Sequence, residues 1–307
     1  GTGAPGLAHA RQTCDAVAKL LGVSAEQVLP FSTGVILEPL PVDRIVAGLP
    51  AAQANAKADN WLAAAEAIMT TDSVAKEAIV TGDGFTVGGM AKGAGMLAPA
   101  LATMLVVVTT DAQIEPDALR TALHDAVRVT FDRIDADGCM STNDTVIVLA
   151  SGASGVQPDT PAFTAALTTV CHDLAQQLIA DAEGASKHIS IVVRQAATED
   201  DAVTVARAIA RSNLLKCAIQ GEDPNWGRVL AAAGTTDAQF EPTNVSVAIN
   251  GVRVCHGGAA DADRTLCDLS DTSVLIEVTL GAGECDAQVW TTDLTAEYVH
   301  ENSAYST

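Results

Sequence analysis

Gly93-Ala94-Gly95-Met96-Leu97-Ala98-Pro99-Ala100-Leu101-Ala102-Thr103-Met104-Leu105-Val106-Val107-Val108 is the stretch on which the fold turns. Its first half carries glycine and proline and reads as a flexible, apolar loop. Its second half is a short apolar run bounded by Thr109, Thr110 and Asp111, the pattern of a buried strand. Thr103 stands at the junction. A threonine that opens a buried strand is ordinarily structural, because β-branched side chains suit strands. A second reading has chemical logic. If the bond before Thr103 is cut, its new α-amino group lies beside its own hydroxyl. The reference pKa of such an amine, about 7.7–8.0, leaves it substantially basic near neutrality.

Outward from this stretch, Glu77 to Thr81 and Phe85 to Met90 flank Gly82-Asp83-Gly84, a hairpin signal. Upstream, Leu7 to Leu21, Val42 to Leu49 and Ala54 to Met69 are predicted as helices, the first stopped by Gly22. Downstream, Pro116 to Arg133 and Pro161 to Ala182 are predicted helices, and Thr145 to Ala150 and Ile189 to Val193 predicted strands. Helices over Asp201 to Ala210 and Asn225 to Ala233, a hairpin through Asn250-Gly251 and strands over Val274 to Leu280 and Ala287 to Trp290 complete the pattern. The tail from Glu301 is polar. Helices and strands alternate irregularly, which predicts an α+β layered sandwich with a buried central sheet rather than a doubly wound sheet. The expected organisation is a layered α/β domain over residues 1–195 and a smaller C-terminal α/β domain over 196–307.

Composition excludes several classes. The hydrophobic fraction of 48% against 18% charged residues is globular. A formal charge of −21 repels phosphate backbones and anionic membrane surfaces, so neither nucleic acid nor a membrane is an expected partner. No apolar run reaches membrane-spanning length. The seven cysteines are widely spaced without a CxxC pair, which fits a reducing, cytoplasmic compartment. The six histidines lack paired ligand spacing, so no metal is expected. Asp135-x-Asp137 with Asp144 is an incomplete set for a hard cation, and an acidic loop is usually only solvated. Gly82-x-Gly84-x-x-x-Gly88-Gly89 has the wrong spacing for a dinucleotide loop, and the hairpin accounts for its glycines.

Several islands together resemble the ornithine acetyltransferase family, also called glutamate N-acetyltransferase or arginine biosynthesis bifunctional protein. They are Met69-Thr70-Thr71-Asp72, Gly88 to Pro99, Leu101 to Leu105, Ser141-Thr142-Asn143-Asp144-Thr145, Asp181-Ala182-Glu183-Gly184, Asp223-Pro224-Asn225-Trp226-Gly227-Arg228 and Glu301 to Ser306. The resemblance implies a precursor that cleaves itself between Ala102 and Thr103. Thr103 would then carry the acetyl group from N2-acetylornithine to glutamate in a ping-pong cycle. Thr33 and Gly34 match the family's oxyanion-hole pair. Thr71, Lys92, Thr103, Glu183, Asn302 and Thr307 match its substrate-binding positions, Thr307 standing where many members have Ser.

Lys92 would meet the substrate α-carboxylate and Glu183 the amine of ornithine. No cofactor is implied, and acetyl-CoA would be a co-substrate only in bifunctional members. The expected assembly is a heterotetramer of two cleaved α/β pairs. The sequence begins with Gly1, and the expectation is that it lacks the segment that family members carry before this region. Read without the resemblance, each residue also has a plain structural role: Thr33 in a turn, Thr71 at a helix end, Lys92 as a loop charge, Glu183 decorating a helix end, Asn302 and Thr307 in a tail. The rival functions are a Thr-nucleophile amidase or aminopeptidase, and an unprocessed, non-catalytic protein.

Overall fold

In the computed structural model, which describes residues 2–35, 37–98 and 104–304, the chain forms two sheets, each with its own helical cover. Three helices come first: α1 (Gly3–Leu21), α2 (Val42–Ala54) and α3 (Trp61–Ala67). Gly22 ends α1 in the left-handed conformation at φ 70°. The segment read as one helix over Ala54 to Met69 is instead divided, because α2 runs on past Pro50 to Ala54 and Asn60 precedes a new start at Trp61.

The first sheet has the order β1 (Lys76–Thr81), β2 (Thr86–Lys92), β3 (Leu105–Thr110) and β4 (Thr145–Ala150). β1 and β2 are the expected hairpin, and β2 pairs antiparallel with β3. β3 and β4 run parallel, joined over the top by α4 (Pro116–Val129). Strand alternation puts Val87, Ala91, Val106 and Val108 on one face, all fully buried. That face packs on α5 (Thr160–Ala180), whose Asp159 caps it by accepting the Ala162 N–H at 2.7 Å. Phe163, Leu167, Val170 and Leu174 supply the helix's buried stripe. Burying each such side chain is worth about 1.5–3 kcal/mol. The other face is more open: Ile79 and Leu149 are exposed on it.

The second sheet is built from β5 (His188–Ala196), β6 (Ser246–Ile249), β7 (Val252–His256), β8 (Ala259–Ala260), β9 (Ser273–Thr279) and β10 (Cys285–Thr292), in the order β10-β5-β9-β6-β7-β8. α6 (Glu199–Ala210), α7 (Asn213–Gln220) and α8 (Trp226–Ala233) belong to this part of the chain, α6 lying on β5 and β10. The Asn250-Gly251 turn joins β6 to β7 as expected, with Asn250 at φ 46°. The two cores meet at Trp290. It belongs to the first cluster although it sits on β10, and its carbonyl accepts the Asp135 N–H at 2.8 Å. The described residues end in α9 (Ala296–Ala304), which buries no residue and showed no apolar periodicity.

Candidate active site

The ends of β2, β3 and α5 converge. Lys92 closes β2 and is 1% exposed. Burial pushes its amine below the usual lysine range. The charges of Asp72, Asp144 and Glu183 oppose that shift, and Lys76 adds to it. Beyond Lys92 the loop through residues 93–98 begins, and Glu183 lies against it. The Glu183 N–H donates to Ala94 O at 3.0 Å, and a Cβ on Gly95 would stand 2.5 Å from Glu183 Oε2. Gly95 is therefore a close-approach glycine, whose missing side chain makes room for the carboxylate. From α9, Asn302 donates to Glu183 Oε2 at 3.4 Å. Three predicted substrate contacts, 210 positions apart at the extremes of Lys92 and Asn302, thus share one neighbourhood.

The start of β3 is tied down from the other side. Asp144 Oδ1 accepts the Met104 N–H at 2.9 Å and the Ser141 hydroxyl at 2.8 Å. Burial raises the Asp144 pKa, and these hydrogen bonds oppose the rise. Its other oxygen, Oδ2, is buried without a hydrogen-bond partner among the described residues. Next to it, the Asn143 side chain donates to Ser32 O at 2.8 Å. The Ser32-Thr33-Gly34 turn is thereby fastened to the loop that holds Met104. Thr33 is half-buried and Gly34 exposed. Ala98 and Met104, which bracket residues 99–103, both line a cavity of about 70 Å³ together with Asp144 and Thr145. Thr103, Ala102 and Thr307 lie outside the described residues.

Thr71 is exposed in the bend before β1, beside the buried Asp72. The acidic group considered for a cation is divided among other tasks. Asp135 pairs with Arg211 at 2.8 Å, Asp137 accepts the Met96 and Cys139 N–H groups, and Asp144 holds Met104. Among the described residues no cluster of metal-ligating side chains occurs.

Two further cavities differ from the site. One of about 910 Å³ covers the outer face of the first sheet, near Ile79, Thr109 and Leu149. It lies at the opposite end of β2 and β3 from Lys92 and Leu105, and none of the described site residues lines it. The other, about 240 Å³, is lined by Asp137, Lys216, Asp293 and Tyr298. Lys216 spends its protons on Ala136 O and the Thr291 and Thr292 hydroxyls, and burial lowers its pKa to about 8. Asp293 accepts from Ser186 and Lys187. Its charged walls are engaged with the protein itself. Burial, followed by the nearby Asp137, Cys139 and Glu183, raises Tyr298 to about 12.

Sequence reasoning missed Asp72, Lys76 and Asp181 as members of this region. Asp72 and Asp181 lie within two of the sequence islands, but Lys76 lies in none, and its partnership with both joins positions far apart in the chain.

The arrangement is that of an α/β protein with a lysine, two carboxylates and an amide gathered where a loop enters a buried strand. Comparison with known proteins identifies it further. The chain matches the ArgJ family over residues 1–307, and it belongs to that family. It is 59% identical over 306 residues to the arginine biosynthesis bifunctional protein ArgJ of Thermobifida fusca, covering 100% of this chain and 80% of that protein. The protein of that name from Streptomyces coelicolor is 59% identical over 305 residues, with 99% and 80% covered. Among solved structures, the arginine biosynthesis bifunctional protein ArgJ of Bacillus halodurans superposes with a TM-score of 0.61 at 35% identity. That match spans 66% of this chain and 98% of the other.

Proposed function

We propose that the chain is a glutamate N-acetyltransferase of arginine biosynthesis, moving the acetyl group of N2-acetylornithine to glutamate through an acetyl ester on Thr103. The observation that supports this best is the meeting of Lys92, Glu183 and Asn302 beside the loop leading to Thr103. A cation and an anion close enough to feel each other's charge suit a substrate that carries a carboxylate and an amine.

In this reading the Thr103 hydroxyl attacks the Ala102 carbonyl, the Ala102–Thr103 amide becomes an ester, and water hydrolyses it. The freed Thr103 amine then takes the proton of its own hydroxyl as that oxygen attacks the acetyl carbonyl. The Thr33 hydroxyl and Gly34 N–H stabilise the oxyanion. Lys92 holds the substrate α-carboxylate, Glu183 the amine, and Thr71, Asn302 and Thr307 complete the contacts. Ornithine leaves with the proton, and the glutamate amine attacks the ester to regenerate Thr103. The cycle uses no cofactor. Acetyl-CoA, where used, would enter as a second acetyl donor to the same oxygen. We place the enzyme in the cytoplasm as a heterotetramer of two cleaved pairs, a reading with which the seven unpaired cysteines agree.

The test is an assay that follows acetylglutamate and free acetate together, with N2-acetylornithine as donor. Acetylglutamate formation dependent on Thr103 supports transfer. Acetate as the main product, with glutamate unmodified, marks a hydrolase instead. Recovery of only a full-length, inactive chain marks the unprocessed reading.

A further inference from the structure

A buried ion triad lies just behind the site. Lys76 is fully buried at the start of β1. Its ammonium meets Asp72 Oδ1 at 2.7 Å and Asp181 Oδ2 at 2.5 Å. Neither carboxylate serves the lysine alone. Asp72 also accepts the Thr70 N–H at 3.1 Å and the Gly93 N–H at 2.6 Å. These bonds hold its carboxyl below the usual range, although burial, the largest influence, pushes the other way. Asp181 ends α5 and accepts both the backbone N–H of Ser73, at 2.9 Å, and the Ser73 hydroxyl.

We infer that Asp72, Lys76 and Asp181 are positioning residues that fix Thr71, Lys92 and Glu183 relative to one another. Both carboxylates of the triad grip the backbone within two residues of a substrate contact. Asp72 adjoins Thr71 directly. It also bonds to Gly93, the residue after Lys92, whose φ of 152° is one that glycine tolerates and other residues rarely adopt. Asp181 stands two residues before Glu183. Three elements that are far apart in sequence are thus pinned by one buried charge cluster.

The cluster carries a net charge of −1, two carboxylates against one ammonium. The charges facing Lys92 come from several elements: Asp72 before β1, Lys76 on β1, Asp144 before β4 and Glu183 after α5. Asp72 favours the protonated amine and Lys76 opposes it. Removing either charge therefore moves the Lys92 titration, and the two removals move it in opposite directions.

This inference rests on the acetyl-transfer reading, and the experiment separates the two. Steady-state kinetics across pH and calorimetric binding of ornithine are measured on the wild-type chain, Asp72→Asn, Lys76→Met and Leu174→Ala. The last removes core packing under the same sheet without touching the triad. Asp72→Asn is expected to raise KM about tenfold, the scale of one lost charge-assisted hydrogen bond, with a smaller change in kcat. Its alkaline limb of kcat/KM moves to lower pH, and that of Lys76→Met to higher pH. Leu174→Ala loses thermal stability and leaves the limb in place. If either charge variant fails to fold, Ser73→Ala, at an exposed position, removes one bond to Asp181 and is expected to raise KM by a smaller factor.

The inference is overturned if folded Asp72→Asn and Lys76→Met keep the wild-type KM and limb. It is also overturned if both shift the limb in the same direction, or if Ser73→Ala, used in their place, keeps the wild-type KM. A wild-type chain that binds ornithine and transfers no acetyl group sinks the transfer reading, while the variants still report on positioning through ornithine affinity.

Discussion

Asp144 accepts the backbone N–H of Met104 at 2.9 Å, and through Asn143 the same loop holds Ser32. The proposed nucleophile directly precedes Met104, and the proposed oxyanion pair directly follows Ser32. One short loop therefore sets the spacing between attack and charge stabilisation. Asp144→Ala leaves a buried N–H without its acceptor, at a cost of about 1–3 kcal/mol. The expected result is precursor cleavage slowed by a factor of about 5–160, which is that range converted to a rate. A denaturing-gel time course checks it, and a wild-type rate would refute this role for the loop.

Thr103→Ala removes the hydroxyl on which both cleavage and transfer depend in the proposed mechanism. The variant should stay full length, with no new amino terminus at residue 103 by mass spectrometry, and form no acetylglutamate. Thr103→Ser keeps a hydroxyl and an amine and should still process. A processed, active Thr103→Ala would transfer the nucleophile's role to another residue.

Gly95→Ala places a methyl group where Glu183 Oε2 stands, with a separation of only 2.5 Å. The carboxylate is the far end of a flexible side chain, so it swings aside at small cost in stability. Its contact with the substrate amine is then lost. KM for N2-acetylornithine should rise about tenfold, equivalent to ~1.4 kcal/mol of binding, with the melting temperature almost unchanged. A large fall in melting temperature with unaltered KM would show that the glycine serves the fold and not the site.

These sites show how far the sequence could be read. The hairpin at Gly82-Asp83-Gly84, the strands Leu105–Thr110 and Thr145–Ala150 and the helix over Thr160–Ala180 each announce themselves by local turn chemistry or apolar periodicity. α7 did not, although Ser212 caps it by accepting the Leu215 N–H. It follows α6 after only Arg211 and Ser212, with no glycine or proline to mark the break, whereas Asp223-Pro224 announces α8, a helix of the same length. α9 buries nothing, so it left no apolar trace, yet it brings Asn302 to Glu183. The candidate site residues came from resemblance, and among them the structure brings Lys92, Glu183 and Asn302 together. The triad behind them was not, because Lys76 finds Asp181 across 105 positions, and no local pattern encodes that pairing.

Lys92 and Lys216 are both buried cations, and they should respond differently to pH. Lys92 must be protonated to hold a carboxylate. Its lowered pKa means that substrate affinity falls as pH rises, starting below the range of an ordinary lysine. KM should climb on the alkaline side, and Lys92→Ala should reproduce the high KM at all pH values with a smaller effect on kcat. Unchanged kinetics in that variant would remove Lys92 from the site.

Lys216 should instead act on stability. Its folded pKa of about 8 lies below the unfolded value, because burial disfavours the ammonium more than Asp137, Asp135 and Asp293 favour it. Below about pH 8 both states carry the proton, and the folded state bears the cost of the buried charge. From there to the unfolded pKa near 10.4 the unfolded chain binds more protons, so stability contributed by this group rises with pH. The full swing is at most about 3 kcal/mol. Lys216→Met abolishes the titration. The difference in melting temperature, wild type minus variant, should therefore increase from pH 8 to pH 10. A flat difference would place the ammonium in contact with solvent, not sealed between Ala136 and the Thr291 and Thr292 hydroxyls.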